Sequence, residues 1–311
     1  MELRSLRYFL EICEKGSMKR AAESLFVAQP ALSQQVRKLE DELGVELLTR
    51  SVRGVQPTEA GRELMHRARV ILEQVHETTH AIQRGSDVPR GSVVLGLPSS
   101  ISAVLSVPLI VRMQEMLPEV SLRVVEGTSG YVLDWLRSGQ LDICILHGGQ
   151  RDGGIHAEPL FTEDLYLVTG REHDSGQRTV RFGELAGLPL ILPGRHHGLR
   201  DMLERIAHEH DVVLNARVEI DAFTQMKALA RLGVGHTILS FAAVAEDVAR
   251  GDLIAVRITH PGLERRMYLA RSVGRPASNA VRATTELLRE CVQAMDGQYW
   301  AVTPTAESAE V

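Results

Sequence analysis

Between Gln29 and Arg37 the chain carries side chains suited to the edges of base pairs. Gln29 and Gln34 can pair with adenine in the major groove, Arg37 with guanine, and Ala31 can touch a thymine methyl group. Ser33 can serve a base or a phosphate. Lys19 and Arg20 precede this run and Arg50 and Arg53 follow it, placed to grip phosphates. A second set of candidates consists of hydroxyls and imidazoles. Ser99 and Ser100 follow Leu97-Pro98, Thr128 and Ser129 follow Glu126-Gly127, and His147 ends an apolar run. Their chemistry is the binding of a small polar or anionic molecule.

Covalent and metal chemistry finds less support. Gly127-Thr128-Ser129-Gly130 is not a Gly-x-Ser-x-Gly elbow, because its second glycine comes one position early. No phosphate-loop motif occurs, and Gly233-Val234-Gly235 is an isolated fragment. His196-His197 and His208-Glu209-His210 invite a metal reading. Adjacent residues on a helix or strand point apart, however, and no His-Glu-x-x-His spacing accompanies them. The expectation is therefore no catalytic residue, no metal and no cofactor.

The elements that position the first set follow from apolar spacing. Leu6, Phe9, Leu10 and Cys13 mark one helix, and Ala21, Ala22 and Leu25 a short second one. Leu32, Val36, Leu39 and Leu43 form the stripe of a third. Pro30 sits in a first turn, where its missing N–H has no intrahelical partner to lose. A basic turn between short strands follows, so the segment outlines a winged helix-turn-helix, with its helix-turn-helix at about 18–37 in a DNA-binding domain of 1–58.

This stretch resembles the N-terminal domain of LysR-type transcriptional regulators. The residues that carry the resemblance are Ala21-Ala22, Leu25, Gln29-Pro30-Ala31-Leu32-Ser33, Leu39-Glu40, Leu43-Gly44, Leu47-Leu48, Arg50 and Thr58-Glu59-Ala60-Gly61. Leu48 stands where the family usually has Phe, a volume-tolerant exchange. Gly-Leu-Pro-Ser-Ser and Glu-Gly-Thr-Ser-Gly resemble the subgroup containing the nitrogen assimilation control protein.

From residue 59 to 84 no proline interrupts the pattern, and Leu64, Ala68, Ile71, Val75, Thr78 and Ile82 recur every three or four residues. That heptad seam predicts a linker helix that pairs two chains. Packing on its own domain is the other reading of the same stripe. Residues 85–91 read as a hinge. From 92 to 302 strands and helices alternate, which predicts an α/β effector domain with a largely parallel sheet. Lobe I is expected at about 92–161 and 268–302, and lobe II at about 162–267. The tail 303–311 shows no packing signal and is expected to be disordered.

Ligands of open α/β sheets bind at the carboxyl ends of strands, where the clusters at Ser99 and Thr128 fall. Each of these hydroxyls could equally be a helix cap. His147 is a ligand contact, a pH-sensitive group or a cap, the last being the simplest reading. The resemblance implies a domain similar to periplasmic binding proteins, with the ligand between two lobes, and Ser99, Ser100 and Thr128 match the family's effector-contacting positions. Arg195, His196, His197 and Thr224 are added from the second lobe.

Bulk composition constrains this picture. The chain has 311 residues, 44% hydrophobic and 24% charged, with a net charge of −5. Residues 1–90 hold 14 Lys and Arg against 13 Asp and Glu, so the remainder carries −6. With so little surplus positive charge, DNA affinity must come from local placement and from multivalency. Cys13, Cys144 and Cys291 show no ligand spacing, which fits a reducing cytosol. The apolar stretch 101–111 is too short to span a bilayer, and no signal peptide is indicated.

Two readings remain: a ligand-responsive DNA-binding regulator, cytoplasmic and not an enzyme, or a small-molecule binding protein or enzyme whose N-terminal module serves assembly. The first is preferred. Its expected partners are double-stranded DNA with a pseudo-palindromic promoter site, a small anionic or polar effector, a homodimer assembling to a homotetramer, and RNA polymerase, without a membrane.

Overall fold

The computed structural model describes residues 1–51, 54–84, 88–148, 154–195, 197–274 and 276–303. The expectations for Arg53, His196, hinge positions 85–87 and tail positions 304–311 lie outside the described residues, as do those for the side chains of Arg50, Ile82 and Ser129. The chain divides into two compact units, Met1–Val88 and Pro89–Val311.

In the first unit, α1 (Leu3–Lys15), α2 (Met18–Ser24) and α3 (Gln29–Leu43) precede a hairpin of β1 (Leu48–Ser51) and β2 (Gly54–Pro57), and α4 (Glu59–Arg84) follows. The Ser17 hydroxyl caps α2 by accepting from the Arg20 N–H. Leu6, Phe9, Ile12, Ala21, Leu32, Val36 and Leu39 share one core. Glu40 on α3 accepts hydrogen bonds from the N–H groups of Leu47 and Leu48, at 2.9 and 3.3 Å, and so fixes the entry to the wing. The Thr58 hydroxyl donates to the Glu46 carbonyl at 2.7 Å and accepts from the Gly61 N–H at 3.0 Å, tying the start of α4 to the same place. A Cβ on Gly61 would lie 2.1 Å from the Leu47 carbonyl oxygen, so only glycine lets α4 approach the wing this closely.

The linker stripe is partly spent inside this unit. Leu64 is 8% exposed and Ala68 0%, both within the core, and Ile71 packs against its edge. The expectation that Leu64 and Ala68 face a second chain is thus corrected. An apolar stripe demands a cover, and for its first two turns α1 and its neighbours supply it. Val75 is half-buried and lies outside that core.

The second unit begins with β3 (Gly91–Leu97), α5 (Ser99–Met116), β4 (Val120–Glu126), α6 (Ser129–Arg137), β5 (Ile143–His147) and β6 (Ile155–Gly170). It continues through β7 (Thr179–Arg181), β8 (Leu190–Leu192), α7 (Gly198–Glu209), β9 (Ala216–Glu219), α8 (Phe223–Arg231), β10 (His236–Ser240) and α9 (Phe241–Ala249). It ends with β11 (Leu253–Thr259), β12 (Glu264–Ser272), α10 (Asn279–Gln293) and β13 (Ala301–Val302). Short 3₁₀ turns occupy Arg171–His173 and Phe182–Gly187.

Strands and helices alternate along most of this unit, as expected. The sheet is mixed, however, and not largely parallel. Strands β4, β3 and β5 are parallel, β12 runs antiparallel to β5, and β6 antiparallel to β12. Strand β6 then changes neighbours. Residues 155–164 pair with β12, and residues from Leu165 pair antiparallel with β10 and β11. This single 16-residue strand thus serves two sets of neighbours. Beyond β6, β10, β8 and β9 are parallel.

Candidate functional site

On α3 the chain presents Gln29, Pro30, Ala31, Gln34 and Arg37 to solvent, while Leu32, Val36 and Leu39 point inward. Ser33 is half-buried. The Ser5 hydroxyl donates to Gln35 at 3.0 Å and fixes the helix against α1. Lys19 and Arg20 on α2 are exposed. Phe26, which drew no attention in the sequence, lies in the turn just before α3 with 96% exposure and φ of 54°. Apart from Arg50 and Arg53, the DNA-reading candidates thus sit on one helix-turn-helix whose opposite face builds the core.

The hydroxyl candidates meet at a cavity of about 70 Å³ in the second unit. Ser99, Ser100, Thr128, His147 and His197 line it, with Pro98, Leu165, Asp221, Phe223, Met226, Ser240 and Arg265 among their neighbours. The volume suits on the order of five waters, or one small ligand. Arg195 and Thr224, expected at this site, are exposed and do not line the cavity. The Thr224 hydroxyl instead donates to its neighbour Gln225 at 2.9 Å, and Phe223 and Met226 face the cavity from the same helix.

Five helices begin at this cavity. Residues from the first turns or caps of α5, α6, α7, α8 and α9 all line it: Ser99 and Ser100, Thr128, His197, Phe223, and Ser240. Each helix start carries unpaired N–H groups and the positive end of its dipole, so the cavity favours negative charge. The hydroxyls are not consumed as caps. The N-cap of α5 is Pro98, and Thr128 and Ser240 cap α6 and α9 without any side-chain cap bond. The Ser240 hydroxyl is buried and has no hydrogen-bond partner among the described residues.

Arg265 adds a positive group. It pairs with Glu163, which lies directly opposite it in the β12–β6 register, and donates to the Ser100 hydroxyl at 3.1 Å. The Glu163 side chain is 0% exposed and that of Arg265 9%. Neither residue could be singled out from sequence. A charged residue in each of two strands was the only signal, and it needs the pairing register to mean anything.

The relatives of the chain agree with this division of labour. The family described as bacterial regulatory helix-turn-helix protein, lysR family, matches residues 3–62, and that described as LysR substrate binding domain matches residues 86–293. The chain belongs to the LysR family. It is 34% identical over 293 residues to the nitrogen assimilation regulatory protein nac of Klebsiella aerogenes, covering 94% of this chain and 95% of that one. It is 30% identical to the DNA-binding transcriptional dual regulator OxyR of Escherichia coli, covering 96% and 97%. Full-length OxyR from Pseudomonas aeruginosa superposes with a TM-score of 0.73 at 26% identity, covering 94% and 95%. The regulator CbnR complexed with its target DNA shares the fold, with a TM-score of 0.66 at 24% identity, covering 94% and 100%.

In this LysR-type regulator the imidazoles of the cavity are neutral at physiological pH. Burial, followed by the charge of Arg265, pushes the His147 pKa from 6.5 down to about 4. The same two causes lower that of His197, whose Nδ1 accepts from the Leu199 N–H at 3.1 Å, so its single proton lies on Nε2. His147 therefore makes stability depend on pH. Below 6.5 the unfolded chain takes up a proton that the folded chain refuses. Its contribution is complete above pH 6.5, falls as the pH drops, and is lost by about pH 4. The shift corresponds to about 3 kcal/mol. His147→Asn is expected to flatten urea unfolding midpoints between pH 7 and pH 4; an unaltered slope would assign the acid sensitivity elsewhere.

Proposed function

We propose that the chain is a transcriptional regulator that reads a pseudo-palindromic promoter site and responds to a small carboxylate or similar anion held in the cavity. The convergence of five helix starts on one cavity carries the ligand assignment. The unpartnered Ser240 hydroxyl and the buried Arg265 support it. The wall is otherwise apolar, with Leu165, Phe223, Met226 and Leu239. That pattern suits binding and orientation rather than catalysis.

The DNA reading rests on the exposed face of α3. Phe26 offers a further apolar contact for a sugar or a thymine methyl at the start of that helix. Pairing of two chains through α4 from Ile71 onward, and of two dimers into a tetramer, supplies the affinity that a nearly neutral first unit lacks. No helix among the described residues is long and apolar enough to cross a membrane, and the preferred setting is the cytoplasm.

Several relatives are named hydrogen peroxide-inducible genes activators. Thiol chemistry fits this chain poorly. Burial pushes the Cys13 and Cys144 thiols up to about 12 and raises that of Cys291, and none of the three lines the cavity. Since the thiolate is the reactive form, reversible ligand binding is the better account of the response.

Ligand and DNA terms can be separated. Thr128→Val keeps the shape of the side chain and removes its hydroxyl. In a thermal-shift panel of small carboxylates against the matching amides, the unaltered full chain is expected to favour carboxylates. The variant is expected to lose that stabilisation while binding DNA as before without ligand. Equal loss of both would mean that the cavity is not a separate effector site.

A further inference from the structure

A second cavity, of about 400 Å³, lies at the other end of strand β10. Ser240 ends that strand in the ligand cavity and His236 begins it in this one, and the two cavities share no lining residue. The register explains the floor. Val256 on β11 lies opposite Leu167 on β6, and His236 precedes the pair Thr237 and Val168, so these side chains emerge on one face of the sheet. Strand β7 extends this floor, since it pairs parallel with β11 and sets Val180 opposite Ile258, on the same face as Val256; His173 and Leu188 also line the cavity. Leu167, Val180 and Val256 are each buried, at 5%, 8% and 7% exposure.

Among the lining residues, which also include the polar Thr169, Ser175 and Gln177, one buried side-chain atom stands without a partner. Nδ1 of His236 is buried and has no hydrogen-bond partner among the described residues. A buried ring nitrogen without a partner loses its hydration for nothing, a cost of about 1–3 kcal/mol. The His173 ring stands edge-on to it at 5.6 Å and offers no replacement bond. Carboxylates occupy the rim. Asp174 and Glu184 are both exposed there, and the Arg181 N–H and side chain hold the Glu184 carboxyl below its usual range, hence ionised.

We infer that this lobe holds a second small-molecule site, for an uncharged single-ring aromatic that carries a hydroxyl. Its ring lies on Leu167, Val180 and Val256, and its hydroxyl meets Nδ1 of His236. The volume falls in the range of ligand pockets, about 300–1,000 Å³. A hydroxyl can donate to the ring nitrogen or accept from it, so it satisfies either tautomer of the imidazole. With Glu184 paired to Arg181 at 3.1 Å, Asp174 leaves the rim a net negative charge that disfavours carboxylates, the very class that the first cavity prefers. The two sites thus select ligands of different charge, and the inference does not depend on the occupant of the first.

The probe is 4-bromophenol, titrated calorimetrically into the full chain and soaked into its crystals so that the bromine can be located by anomalous scattering. The bromine is expected in the cavity beside His236. Two probes of similar size test the assigned chemistry on the unaltered protein. 4-Bromotoluene, without the hydroxyl, and 4-bromobenzoate, with a charge, are each expected to bind about tenfold more weakly, the size of one buried hydrogen bond. Val256→Phe fills the floor and is expected to abolish binding, whereas Ser240→Ala should leave it unchanged. Bromine found only beside Ser240 or on the surface, equal affinity for the three probes, or no heat at millimolar concentration would each overturn the assignment.

Discussion

Arg265→Leu, with Glu163 left in place, is expected to lower the stability of the Pro89–Val311 unit by about 3–5 kcal/mol. The reason is the carboxylate that stays behind. Glu163 is fully buried on β6, its Oε2 already lacks a partner, and its Oε1 takes two donors from the same guanidinium. Without Arg265 it is an uncompensated buried charge at the point where β6 leaves one set of neighbours for another. Replacing both residues, as Arg265→Leu with Glu163→Leu, removes the charge along with its partner and is expected to recover most of the loss. The double variant should still fail to respond to an anion, because the Ser100 hydroxyl has lost its donor and the cavity its only cation among the lining residues. Urea unfolding of the full chain, followed by tryptophan fluorescence and by circular dichroism, measures the first effect, and the carboxylate thermal-shift panel the second. A single-variant cost below about 1 kcal/mol is what a solvated surface pair gives. It would mean that the pair is solvated and that Arg265 lends the cavity little positive bias.

The same pair shows where sequence stops being legible. Glu163 and Arg265 are 102 positions apart and meet only because β6 and β12 run antiparallel in one register. Apolar spacing locates a strand but carries no sign of its direction or its neighbour. For that reason the alternation of strands and helices predicts a largely parallel sheet, whereas β12 runs antiparallel to both β5 and β6. The run Leu253-Ile254-Ala255-Val256-Arg257-Ile258-Thr259 forms β11, and its β-branched content was a signal within reach. Ser99 and Thr128 were legible for a better reason. Each follows a strand end and opens a helix, and that local pattern fixes where a hydroxyl goes. Thr224 also opens a helix, but one residue out of phase, which on a 3.6-residue turn is enough to face it away. In the linker, spacing alone marks the stripe from Leu64 to Val75 as apolar. What covers it is a tertiary fact, and for Leu64 and Ala68 the cover is their own domain.

Gln29→Ala, Gln34→Ala and Arg37→Ala together are expected to reduce binding to the cognate site by at least about a thousandfold, down to the level of unrelated DNA. A well-made contact of this type discriminates by about 1–3 kcal/mol, and a dimer makes each of them twice. The sum exceeds the usual gap between specific and non-specific affinity, so the loss stops where non-specific binding begins. All three side chains are exposed, Gln34 and Arg37 on the face of α3 turned away from Leu32, Val36 and Leu39 and Gln29 at the first position of the helix, and the melting temperature should therefore not move. Lys19→Ala with Arg20→Ala makes the informative contrast. These residues sit on α2 as phosphate contacts, so their loss should weaken binding to cognate and scrambled duplexes alike. It should also flatten the plot of log affinity against log salt by nearly 1 for each contact removed per chain. The triple variant removes sequence preference and the pair removes salt dependence. Fluorescence anisotropy with both duplexes across a salt series separates the two. If the triple variant still prefers the cognate duplex, α3 is not the reading helix. The first unit would then be left with an assembly role, which its small surplus of positive charge would also permit.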